Sequence, residues 1–151
     1  MSAGAFTVYT KAIQNIGDGS FNLPSDTLVM ALLTSAYTPA PNTDALWSDV
    51  SANEVVTGSG YTAGGVVLSG VTWTISTATN TLTCTAPTWA TFSATFKYAV
   101  IVRRASASLA GTDKLLSYVD GNSGGGSVVV GGGTLTITPN ASGIFNVTHT
   151  P

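Results

Sequence analysis

The chain has 151 residues, of which 44% are hydrophobic and only 8% charged, with five Lys+Arg, seven Asp+Glu and one His. This length suits one domain, and the apolar fraction excludes wholesale disorder. So few cations exclude a nucleic-acid binder that neutralises phosphates through a basic footprint.

A formal net charge of -2 gives little repulsion between copies. A surface of Thr, Ser, Asn and Gly also loses its water at low cost, because few ions must be desolvated. Composition therefore leans toward assembly. The single cysteine, Cys84, excludes an internal disulfide framework. No run approaches the ~18 apolar residues of a membrane span, and the first residues lack a basic stretch and a long apolar run, so no export signal is expected.

Phe6, Tyr9, Ile13 and Ile16 recur at spacings of three and four. This predicts an amphipathic helix over residues 5–16, stopped by Gly17-Asp18-Gly19. So short a helix must dock on its own domain or on a neighbour. Residues 1–24 are expected to form a helix and arm, and residues 25–151 a β-domain. Thr27–Thr34 is a continuous apolar run, as for a strand buried on both faces. The long polar loop Ser35–Asn53 carries Tyr37 and Trp47 and is expected to be ordered, packed or in contact. A strand over Gly65–Leu68 follows. Next comes a hairpin, Val71–Ser76 and Thr81–Ala86 about a turn at Thr77–Asn80, with Val71, Trp73, Ile75, Leu82 and Cys84 on one buried face. Phe96–Arg103 is expected to be central, and Lys114–Val119, Ser127–Val130, Thr134–Thr138 and Gly143–Thr148 complete the set. These elements predict an all-β fold, an antiparallel β-sandwich or flattened barrel of about 8–10 strands with a short N-terminal helix.

Chemistry finds little purchase. Gly121-Asn122-Ser123-Gly124-Gly125 looks like a serine-protease nucleophile segment. However, the only histidine, His149, follows Ser123 near the C-terminus, so a glycine-rich turn explains the match. Gly58–Gly65 lacks the Lys-Ser/Thr ending of a phosphate loop and reads as a tight connection with Tyr61 packed or presented. No enzymatic activity, cofactor or resident metal is expected. A Ca²⁺ site at Asp44, Asp49 and Glu54, completed by backbone carbonyls, stays open at this stage. Arg103 and Arg104 are adjacent in a strand and must face opposite ways, so they form no joint anion clamp. The interface candidates are Phe6, Tyr9, Tyr37, Trp47, Tyr61, Arg103 and Arg104. Met1–Gly19 and Tyr37–Trp47 are expected to make most contacts to neighbouring subunits, because aromatics supply large contact area at low entropic cost. No nucleic-acid or membrane partner is expected.

A longer pattern carries a resemblance. Ser25–Pro39, Trp47-Ser48-Asp49-Val50, Asn53-Glu54-Val55, Gly58–Gly65, Tyr98–Val102 and Leu115–Asp120 occur in an order similar to that in small structural proteins of tailed bacteriophages. The Arg103-Arg104 pair, where such proteins often have an acidic turn, and the C-terminal glycine runs depart from that pattern. The resemblance implies a virion protein, made in the host cytoplasm and most like a capsid decoration (cement) protein on the outer head surface. Its partner would be the major capsid protein, and it would be homo-oligomeric, with a trimer favoured. The alternatives are a tail or head–tail junction protein, or a glycan-binding β-module using Trp47, Tyr61 and Trp89.

Overall fold

A computed structural model of the chain describes residues 4–148 and 150. The fold is an all-β sandwich of antiparallel sheets, with no closed barrel.

The main sheet is built on β2 (Thr27–Leu33), β8 (Tyr98–Arg104) and β9 (Lys114–Asp120). These are three of the runs whose sequence predicts strands. Its outer members are two-residue strands, β1 (Thr7–Val8) and β3 (Val66–Val67), giving the order β1-β9-β8-β2-β3. From Leu28 to Leu33 every side chain of β2 is buried, as its unbroken apolar run requires.

One face of this sheet carries Tyr98 and Tyr118. The Tyr98 ring meets Tyr37 at 5.5 Å, and the Tyr118 ring meets Tyr9 at 5.4 Å. That face is therefore covered by the N-terminal segment and the long loop. The loop is ordered, and contains a one-turn helix, α2 (Trp47–Val50), continued by a 3-10 turn at Ser51–Asn53.

The opposite face is left to the remaining strands. β6 (Thr88–Phe92) and β7 (Thr95–Phe96) pair with β11 (Gly133–Thr136) and β10 (Val128–Val129). The pairings run from Thr88↔Thr136 to Phe96↔Val128, so both short ladders belong to one bent ribbon. A three-stranded sheet joins it, order β12-β5-β4, from β4 (Thr72–Ser76), β5 (Thr79–Thr83) and β12 (Phe145–Thr148). Phe92, Phe96, Leu82, Trp89 and Leu135 from this layer share one core cluster with β2 and β8.

Several expectations need correction. The N-terminal helix is α1, Thr10–Gly17, not 5–16. Phe6 lies ahead of a strand pairing with β9, and Tyr9 is extended (φ -68, ψ 139), its N–H bonded to the Leu116 carbonyl at 3.1 Å. The helical period thus starts later, and the inward face is Tyr9, Ala12 and Asn15, while Ile13 is 54% exposed. Residues 1–24 are expected as a helix and arm; the described part of that segment contributes Tyr9, Ala12, Phe21 and Leu23 to the same core as the sheets.

The predicted hairpin forms, but with a two-residue turn, Thr77-Ala78, closed by Ser76↔Thr79. Its expected buried face is only part-buried, because the hairpin runs past the core. Leu82 is buried and Trp73 half-buried, whereas Ile75 is 71% exposed. Twelve strands form among the described residues, more than expected. Four are two-residue strands too short to leave a periodicity, and β6 hides behind a bulge. Trp89 pairs with Leu135 and Phe92 with Gly133, so Ala90 and Thr91 share one opposing residue, and Thr91 takes φ 51.

The outer edge of β2 is sealed by a loop rather than a full strand. The Leu28 carbonyl accepts the N–H of Leu68, and the Leu32 carbonyl that of Val55; the Leu32 N–H donates to the Tyr61 hydroxyl at 3.1 Å. Gly65 lies so close that a Cβ there would sit 2.1 Å from the Met30 carbonyl oxygen, at φ +68. Gly64 has φ +93 but open space around it. Gly65→Ala is therefore expected to lower stability by more than about 2 kcal/mol and Gly64→Ala by about 1 kcal/mol, since only the first adds a backbone clash to the strain. Denaturant unfolding of both variants measures this, and equal losses would refute the edge contact.

Candidate interaction surface

The acidic groups define what this surface is not. All seven carboxylates accept a backbone N–H from a nearby turn or loop. Asp18 holds Ser20, Asp26 holds Asn22 and Asp120 holds Asn122. Asp44 holds Ala40, Asp49 holds Ala45 and Leu46, Glu54 holds Gly64, and Asp113 holds Ala105 and Ala110. The Ser20 bonds keep the Asp18 carboxyl below its ordinary pKa. Asp44, Asp49 and Glu54 thus organise three separate turns. Among the described residues no cluster of His, Cys, Asp and Glu is arranged to hold a metal.

Two of these acids also anchor tyrosines. Tyr37 donates to Asp44 Oδ2 at 2.7 Å, and Tyr9 lies 2.9 Å from the Tyr37 hydroxyl. Because the Tyr37 proton goes to Asp44, Tyr9 must donate to Tyr37. Tyr61 donates to Glu54 Oε1 at 2.7 Å while accepting Leu32 N–H, and its ring stands 6.4 Å from Phe92.

The expected interface aromatics are therefore occupied inside the chain. Tyr9, Tyr37, Trp47 and Tyr61 are buried in its own core, so none offers contact area to a neighbour. The sequence shows aromatics in loops, but not that a long loop must be pinned to the core to stay ordered. Phe6 alone is half-buried, beside a small cleft of about 200 Å³ that it lines with Asn140, Ile144 and Phe145. Trp89 is also buried, which removes the third ring of the glycan-binding alternative. Arg103 bonds Asp26 at 3.1 Å within the chain, and Lys97 pairs with Asp120 at 3.0 Å. Arg104 faces the other way, its Nε buried without a hydrogen-bond partner among the described residues.

The protease-like segment is a turn between β9 and β10. Asn122 Oδ1 accepts Gly124 N–H, and a Cβ on Gly121 would lie 2.9 Å from the Phe96 ring. Ser123 is exposed, and His149 lies outside the described residues. Cys84 is half-buried, and burial pushes its thiol up to about 11. No helix among the described residues is long and apolar enough to cross a membrane.

What remains is a surface that no single residue marks in the sequence. Every Lys, Arg, Asp and Glu lies in residues 1–54 or 97–120, and none in 55–96 or 121–151. In the fold, the uncharged stretches supply every strand of the ribbon and of the three-stranded sheet, and the charged residues lie outside those strands, with the Lys97–Asp120 pair at the ribbon's end, where Lys97 reaches the Gly126 carbonyl. The signal was available as a gap in the charge distribution along the chain. On this uncharged layer Ile75 (71%), Val129 (75%) and Val147 (50%) are exposed. Ile75, Asn80 and Val147 form one cross-strand row, and Thr74, Thr81 and Asn146 form a row on the opposite face.

No protein-family model, curated protein or solved structure matches this chain.

The buried phenols give a pH test. Burial raises the pKa values of Tyr9, Tyr37 and Tyr61 above the ordinary 10.0. An unfolded chain loses these protons near pH 10 while the folded chain keeps them, so stability falls as pH rises above about 10. Denaturant midpoints measured from pH 8 to 11 are expected to drop, with phenolate absorbance from these residues appearing only on unfolding. Full phenolate absorbance in a still-folded protein would contradict their burial.

Proposed function

We propose that the chain is a structural protein of a tailed-bacteriophage virion. More specifically, it would be a homo-oligomeric decoration protein that lies on the outer capsid, contacts the major capsid protein and reinforces the head. The observation that carries this reading is the uncharged layer. Covering such a surface strips no ions of water, so most of the apolar area it buries counts toward binding. The commitment of all seven carboxylates to backbone turns supports a mechanical role without catalysis. The resemblance of Ser25–Pro39 and the Asn53–Gly65 region to phage structural proteins supplies the particle. With the long-loop aromatics spent internally, the uncharged layer replaces Met1–Gly19 and Tyr37–Trp47 as the contact surface.

The test adds labelled protein to particles lacking it and measures occupancy and resistance to heat. Wild type is expected at hundreds of copies per head, as for a decoration protein; a few copies per particle would indicate a head–tail junction or tail component instead. Val129→Asp, which places a charge on the uncharged layer, is expected to reduce occupancy at least about tenfold without unfolding the protein. Lys11→Gln, on the charged side, is expected to change it little. Equal occupancy by wild type and Val129→Asp would remove the uncharged layer from the reading.

A further inference from the structure

We infer that β4 pairs with β4 of a second copy of this chain, antiparallel and about a two-fold axis at Thr74, extending the three-stranded sheet into a six-stranded one. This contact does not depend on the virion reading.

The first ground is an open edge. β4 ends its sheet, and its outer side pairs with no other segment among the described residues. Four of its five residues are exposed. Backbone groups alternate in an antiparallel pair, and the two-residue turn closes on Ser76↔Thr79. Ser76, Thr74 and Thr72 therefore point their N–H and C=O groups toward β5, while Trp73 and Ile75 point theirs outward, free to bond a further strand.

The second ground is the absence of protection. Natural edge strands are usually short, charged, bulged or interrupted by proline. The main sheet follows that rule, since both its edges are two-residue strands. β4 is five residues long and reads Thr-Trp-Thr-Ile-Ser, with no charge and no proline. The nearest charged residues in sequence are Glu54 and Lys97.

The third ground selects the occupant. Centring the two-fold on Thr74 sets Trp73 against the second copy's Ile75, and Ile75 against its Trp73. These are the residues whose outward groups are free, so each such pair makes two hydrogen bonds, about four in all. On the same face each exposed Ile75 gains an aromatic cross-strand neighbour, a favourable pairing. On the other face Thr74 meets Thr74, and Thr72 meets Ser76. No charge opposes its own copy anywhere along the seam. β4 is thus complementary to itself in backbone, side-chain size and charge. A single strand pair buries less than a standard interface, so the dimer is expected to be weak and to need concentrated protein.

Sedimentation equilibrium of the full chain tests this. Wild type is expected to dimerise. Thr74→Lys and Thr74→Glu, at an exposed position, should each fold as wild type does but weaken association at least about tenfold, because like charges meet across the axis. Mixing the two variants should restore dimers, since Lys then faces Glu at that position alone. A wild-type monomer at several hundred µM would overturn the proposal. So would a dimer or trimer indifferent to both substitutions, or a mixture that stays dissociated.

Discussion

The structure depends on hiding one strand from Leu28 to Leu33. β2 is buried on both faces, so each of its N–H and C=O groups must find a partner inside the protein or cost free energy. β8 satisfies one edge along its full length. The other edge receives only two paired residues from β3; beyond them, Leu68 and Val55 bond the Leu28 and Leu32 carbonyls, and the Tyr61 hydroxyl takes the Leu32 N–H. The glycine-rich turn over residues 58–65 follows from this demand. It must pass close enough to β2 for Tyr61 to reach Leu32, and Glu54 holds it there through Tyr61 and Gly64. Gly60 makes a second close approach, to the Thr91 carbonyl at the bulge of the ribbon, so one loop ties the two layers together.

The same economy runs through the acidic residues. In many proteins carboxylates decorate the surface and set its field; here each one anchors a backbone turn. Charge is spent on loop geometry around the main sheet, and the second layer is left with hydroxyls, amides and exposed aliphatic groups. The functional reading rests on that division rather than on any pocket.

Much of the fold was legible because long, unbroken or strictly alternating runs have few alternatives. Thr27–Leu33, Tyr98–Arg104 and Lys114–Asp120 belong to this class, and so does the hairpin around Thr77. The misreadings share one cause: periodicity describes a segment, whereas burial is decided by what lies opposite. Ile75 has the correct alternation but extends past the core. Ile13 fits a helical spacing, yet the helix turns Tyr9 and Ala12 inward because β1 fixes the entry of the chain. Trp89 and Phe92 are separated by a bulge, which breaks the period of two. For the uncharged layer, the informative signal was not a residue type but a gap, the absence of any charge between Glu54 and Lys97.

That gap also has a kinetic consequence. A layer without ions of its own adds little to the protein's long-range field, so it steers an approaching partner weakly. Encounters through it proceed at unsteered rates, of order 10⁵–10⁶ M⁻¹s⁻¹, and salt in the surrounding medium changes them little. Excluded salts such as sulfate, which strengthen apolar burial, should tighten such a contact. A contact made through such a layer would form by abundance rather than by attraction, and would survive simple salts that loosen contacts built on ion pairs.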